Sequence, residues 1–171
     1  MPLLRGKQTI LLPVSPLFVR STIFIAFLIN ISLGKAAELV NVLDIVLIFW
    51  FLREGRIVKQ GTGFLIGIII DLYFNTTIGL NALCYTITSA IANHISVRFL
   101  SITPKAQALL MSLTLLIKNI LLSALFVLVL GKYPPLGIFV SPITSAILYP
   151  LFYRMLLAPQ LRSTSSEETP I

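Results

Sequence analysis

The sequence carries one cysteine and one histidine. A lone Cys84 excludes an intramolecular disulfide and any cysteine-based metal cluster, and a lone His94 excludes a paired-histidine metal site within one chain. Charge is also scarce. Asp, Glu, Lys and Arg make up 11% of the residues, against about 25% in an ordinary soluble domain. Apolar side chains take their place, at 57% of the sequence with a mean hydropathy of +0.97. A soluble domain of this composition would need a core larger than 171 residues can enclose. Water-soluble globular architecture is therefore excluded, and so is disorder for all but the ends. The chain reads as an all-α, polytopic membrane protein.

Six apolar blocks follow one another: Leu17–Leu33, Leu39–Leu52, Thr62–Phe74, Leu80–Val97, Ala106–Leu130 and Gly137–Leu157. The second and third are short for a span of about 20 residues. They can lengthen into their flanks, through Ala36–Ala37 and Ile57–Val58, or the bilayer can thin around them. A re-entrant third segment is the competing reading. One compact bundle of six transmembrane helices is expected over residues 17–157, between a cytoplasmic segment at 1–16 and a mobile cytoplasmic tail at 158–171. Met1 to Arg20 holds no apolar run ending in a small-residue cleavage site, so the first hydrophobic block is expected to stay as an anchor. Tyr133-Pro134-Pro135 and Thr103-Pro104 mark turns. No internal repeat is evident, so the inverted-repeat signature of many secondary transporters is missing.

The net charge of +7 could point to nucleic acid. Yet the basic residues are scattered between apolar blocks, and their placement reads as membrane topology. With the N-terminus inside, Arg5, Lys7, Arg20, Arg53, Arg56, Lys59, Arg98, Lys105, Arg154 and Arg162 all fall on the cytoplasmic side. Only Lys35 and Lys132 fall outside, and Lys118 lies within the fifth block. Both termini are expected in the cytoplasm. Trp50 and Tyr133 read as interfacial anchors, and His94 as an interfacial or capping residue. Pro142 and Pro150, eight apart on one face, are expected to bend the last helix.

The richest stretch runs from Gly61 to Asn81. Gly63, Gly67 and Asp71 recur every four residues and share one helical face. Gly63 and Gly67 form a GxxxG pair, which lets another helix approach to backbone contact. An acid on that face should meet protein rather than lipid. Asp71 then either pairs with a neighbour in a tightly packed helix or contacts a partner or ligand. Gly61-x-Gly63-x-x-x-Gly67 has the wrong spacing for a dinucleotide fingerprint and follows a basic loop rather than a strand. Lys118 sits near mid-membrane, where an unpaired charge costs about 2.5–3.5 kcal/mol. A salt bridge to Asp44 or Asp71 accounts for it; snorkelling and a proton pathway are the alternatives. No nucleophile–base pair is placed by motif.

The Gly61-Thr-Gly-Phe start, Gly67, Asp71-Leu72 and the Thr77-Ile-Gly79-Leu-Asn81-Ala-Leu83 turn together resemble the rod shape-determining MreD family of bacterial inner membranes. The similarity extends from Asn41, which begins a helix ending Ile48-Phe-Trp50, to Ala90, and to the late Tyr149-Pro150. Val40 stands where that family often has proline. The resemblance implies a non-enzymatic, cofactor-free subunit of the cell-elongation machinery. It implies MreC as binding partner, and association with MreB, RodA and a class B penicillin-binding transpeptidase. It also implies the fold of the substrate-binding subunit of energy-coupling-factor vitamin transporters. Gly61, Gly63, Gly67, Asp71, Gly79 and Asn81 are the candidate packing or partner residues, with Asp44, Asp71 and Lys118 as charge-pair candidates. A solute-binding transporter subunit is the alternative, for which Asn81, Tyr85 and Asn119 are the few candidate ligands.

Overall fold

The computed structural model of the chain describes residues 9–11, 14–54, 58, 60–99, 101–157 and 161–163. Among them are six helices: α1 (Pro16–Leu33), α2 (Val42–Arg53), α3 (Gln60–Tyr73), α4 (Leu80–Phe99), α5 (Pro104–Leu130) and α6 (Ser141–Leu157). They follow the six apolar blocks of the sequence in order. Local chemistry sets their ends. Ser15 caps α1 by accepting from the Phe18 N–H, with Pro16 in the first turn where no N–H is needed. Asn41 caps α2 through the Asp44 N–H at 3.0 Å. Gly131, in the left-handed conformation (φ 62°), ends α5.

Helix α2 occupies the middle of the bundle. Every residue from Val42 to Leu52 is buried, and α1, α4, α5 and α6 pack around it. A helix that is apolar on all sides has no lipid- or solvent-facing stripe to offer. At 12 residues it is about 18 Å long. It does not lengthen through Ala36–Ala37, because those residues form a separate 3₁₀ turn, Gly34–Glu38. Trp50 corrects an expectation: it is fully buried rather than interfacial. Its indole N–H donates to Thr22 Oγ1 at 3.0 Å, and its ring meets Phe18 and Phe49 edge-on. A tryptophan whose N–H finds a partner inside the bundle has no need of the interface.

The outside of the bundle is apolar. Phe24 and Ile25 of α1, Leu65 and Ile69 of α3, Leu113 and Ile120 of α5, and Ile147 and Leu151 of α6 are all exposed. Soluble monomers rarely expose apolar surface on this scale. Helices α1 and α5 are each long and apolar enough to cross a membrane, and α3 is a shorter apolar helix. Of the two prolines in α6, only Pro150 interrupts it. Pro142 lies in the first turn, where a missing N–H breaks no helical bond. A two-stranded antiparallel ladder pairs β1 (Thr9–Leu11) with β2 (Leu161–Ser163). The tail reading had not foreseen this ladder, which brings the segments flanking α1 and α6 to one end of the bundle. Residues 158–160 and 164–171 of that tail lie outside the described residues.

Candidate functional site

Asp71 lies in the last turn of α3 and organises the connection to α4. Its Oδ1 accepts from Thr76 Oγ1 (2.9 Å), the Asn81 N–H (3.1 Å) and Asn81 Nδ2 (2.8 Å). Its Oδ2 accepts from the N–H groups of Gly79 (2.8 Å) and Ala82 (3.4 Å). The first N–H groups of α4 have no partner within their own helix. A carboxylate set against them satisfies both hydrogen bonding and the positive end of the helix dipole. Gly79, at φ 105°, supplies a backbone conformation that side-chain-bearing residues rarely adopt. The aspartate therefore pairs with backbone and Asn81, and Lys118 finds its counter-charge elsewhere.

Every group around Asp71 is a donor, which makes Asp71→Asn a severe change rather than a conservative one. Whichever way the amide turns, its NH₂ faces at least two N–H or O–H groups. Each buried donor left without an acceptor costs about 1–3 kcal/mol. Asp71→Asn and Asp71→Ala are both expected to lower the thermal midpoint of the detergent-solubilised protein by several degrees and to open the 74–79 turn to limited proteolysis. A midpoint equal to that of the parent chain would remove Asp71 from this role.

The glycine face is filled by α4 of the same chain. A Cβ at Gly67 would lie 2.3 Å from Ala82 Cα, and one at Gly63 would lie 3.0 Å from the Tyr85 carbonyl oxygen. Gly61 is different. It is exposed, and a Cβ there meets nothing within 4 Å. The GxxxG pair thus serves intramolecular packing of α3 on α4.

Lys118 pairs with Asp44. Its Nζ lies 2.5 Å from Asp44 Oδ2, with both side chains buried, and 5.0 Å from the centre of the Tyr85 ring. The Tyr85 hydroxyl donates to Asp44 Oδ1. Three helices, α2, α4 and α5, are tied together by this cluster around one carboxylate. Ion pair, hydroxyl and ring face compensate one another, as charges withdrawn from water require.

The cluster forms the floor of a cavity of about 420 Å³. The cavity opens at the end of the bundle made by the α1 C-terminus, the α3–α4 turn and the α5–α6 connection, and Asn30, Asn41, Asn81, Asn119 and Ser141 line it. Asn119 Nδ2 donates to the Ile138 carbonyl (2.8 Å) and to Ser141 Oγ (2.9 Å). A carbonyl can only accept, so the amide orientation is settled and Asn119 Oδ1 is buried without a partner among the described residues. The buried Oδ1 of Asn30 is in the same position. Of the candidate solute ligands, Asn81 is engaged by Asp71 and Tyr85 by Asp44. Asn30 was not singled out from sequence, although it stands alone among apolar residues from Ile23 to Ile31. A lone amide in such a run is itself a signal. Gln107 was not singled out either, and Tyr149 was noted only beside Pro150 in the last helix. The Tyr149 hydroxyl donates to Gln107 Oε1 at 2.6 Å, closing the opposite end of the bundle.

Among the described residues no group of three or more His, Cys, Asp or Glu side chains could hold a metal ion. No curated protein and no solved structure matches the chain. Residues 7–158 match the family model of rod shape-determining protein MreD. Because that match takes in all six helices together with the Asp71 turn, the packed glycines and the Asp44–Lys118 pair, the chain belongs to the rod shape-determining MreD family.

Proposed function

We propose that the protein is a non-enzymatic scaffold of the bacterial inner membrane that binds MreC and helps organise peptidoglycan synthesis and rod shape. The family match carries this reading. MreB, RodA and a class B penicillin-binding transpeptidase complete the proposed assembly. In this reading all six helices span the membrane, both termini are cytoplasmic, and the bundle is built like the substrate-binding subunit of energy-coupling-factor transporters. The concentration of basic residues on one side supports the orientation. The apolar surface of α1, α3, α5 and α6 suits lipid and partner helices. Because α4 covers the glycine face, α3 acts on the partner surface from behind, by holding the backbone to which that surface belongs.

Affinity capture in mild detergent, followed by identification of the co-purifying proteins, tests the function. MreC is the expected companion, and reporter fusions after Ser163 and between Ile57 and Gln60 are expected to report cytoplasm. A vitamin-transport ATPase in place of elongation proteins would favour a second reading, a solute-binding subunit. The polar cavity supports that alternative, with its unpartnered Asn30 and Asn119 oxygens and a size within the usual range for small-molecule pockets.

A further inference from the structure

At the end of the bundle away from the polar cavity, a second recess of about 520 Å³ lies between the first turns of α5 and the α6 residues Ala146 to Arg154. Its wall is apolar where Ala108 of α5 faces Ala146 and Pro150 of α6. The small side chains of Ala108 and Ala146 leave the space between the two helices as a groove rather than a filled seam. Its rim is basic. Lys105 stands two residues into α5 and Arg154 in the last turn of α6, and both are exposed. Among the described residues the one ion pair is Lys118–Asp44, and no acid of those residues pairs with either rim cation.

The base of the recess is rigid. Gln107 Nε2 donates to the carbonyls of Phe99 (2.9 Å) and Ile102 (3.3 Å), which turns Oε1 toward the Tyr149 hydroxyl. Tyr149 in turn supports the Tyr153 ring, 5.7 Å away between centroids. The Tyr153 hydroxyl, also lining the recess, makes no hydrogen bond among the described residues. Two cations and a hydroxyl without partners among the described residues, at the ends of the helices above an apolar groove, match a molecule with an anionic head and an aliphatic tail. A free phosphate ion would leave the groove empty, and a neutral lipid would leave the cations unpaired.

We propose that this α5–α6 recess binds one anionic phospholipid, its phosphate between Lys105 and Arg154 and an acyl chain along Ala108 and Ala146. Basic pockets between helices on the cytoplasmic side are suited to such headgroups, each cation near the surface contributing about 1 kcal/mol. The placement in the cytoplasmic leaflet rests on the topology proposed above; the binding itself does not.

The test is native mass spectrometry of the full chain in non-ionic detergent, titrated separately with phosphatidylglycerol, phosphatidylcholine and glycerol 3-phosphate. One phosphatidylglycerol molecule is expected to persist under activation that strips phosphatidylcholine, and glycerol 3-phosphate is expected not to displace it. Lys105→Gln/Arg154→Gln should weaken that first adduct by at least about ten-fold. Ala146→Leu fills the groove without altering charge and should do the same, with Ala108→Leu as a second groove variant if the first does not elute as a single species. Arg98→Gln/Lys132→Gln removes the same charge outside the recess and should change binding by less than about two-fold. Equal loss in that control pair would mean general electrostatic attraction. Full displacement by glycerol 3-phosphate would mean a phosphate site, and unchanged binding in the groove variants would mean no acyl-chain site. Each of these results overturns the proposal. Reporter fusions read the topology separately, so a wrong orientation cannot pass for absent binding.

Discussion

Gly67→Ala is expected to cost the protein its fold, although alanine is the better helix former by about 1 kcal/mol. The added methyl would sit 2.3 Å from Ala82 Cα, 2.4 Å from Ala82 N and 2.7 Å from the Asn81 carbonyl carbon. All three are backbone atoms, so no rotamer change relieves the overlap. Asn81 and Ala82 are also fixed by their hydrogen bonds to Asp71. For α3 to move away from α4, that turn must come apart. Overpacking of a well-packed interior costs about 1–3 kcal/mol or more, and here the loss of the Asp71 contacts adds to it. Gly63→Ala meets the Tyr85 carbonyl oxygen at 3.0 Å and the Phe51 ring at 3.1 Å, and should cost less. Gly61→Ala meets nothing and should be neutral or slightly stabilising. Size-exclusion profiles and thermal midpoints of the three variants in detergent check the ranking. A Gly67→Ala protein as monodisperse and heat-resistant as the parent would show that α3 and α4 do not touch as described.

The second large effect concerns the buried pair. Lys118→Met leaves the Asp44 carboxylate with only the Tyr85 hydroxyl and the Asn41-capped turn around it, and Asp44→Asn leaves a buried ammonium facing an amide. Removing one member of such a pair costs about 3–5 kcal/mol, whereas replacing both is often close to neutral. The Asp44→Asn/Lys118→Met double variant should therefore be more stable than either single one. Asp71→Asn combined with Lys118→Met should instead be additive within about 0.5 kcal/mol, because Asp71 spends its charge on the α4 N-terminus. Folded yield and unfolding midpoints across this set measure both couplings. Additivity in the Asp44 pair would remove the salt bridge from the account of stability.

The sequence by itself determined the solvent of this protein, the number and order of its helices, and its family. Those properties belong to single segments. An apolar run is apolar whatever surrounds it, the Tyr133-Pro134-Pro135 break interrupts a helix whatever packs against it, and the Asp71 turn is contained in one stretch of chain. Even the need of Lys118 for a counter-charge was legible, since it follows from depth alone.

Only the tertiary structure decided how those segments are used. Two acids were available to Lys118, and the choice of Asp44 depends on α2 and α5 lying side by side while α3 faces α4. Periodicity showed that Gly63 and Gly67 share a face, but what covers that face depends on a second helix, and α4 covers it. Uniform hydrophobicity reads the same in a helix bathed in lipid and in one surrounded by other helices. The shortness of α2 was visible, yet its place at the centre, with Trp50 buried against Thr22, was not. The cavity, the basic recess and the Thr9–Leu11 ladder to Leu161–Ser163 have the same origin. Each joins residues far apart in sequence, and pairwise proximity is set by packing rather than by composition.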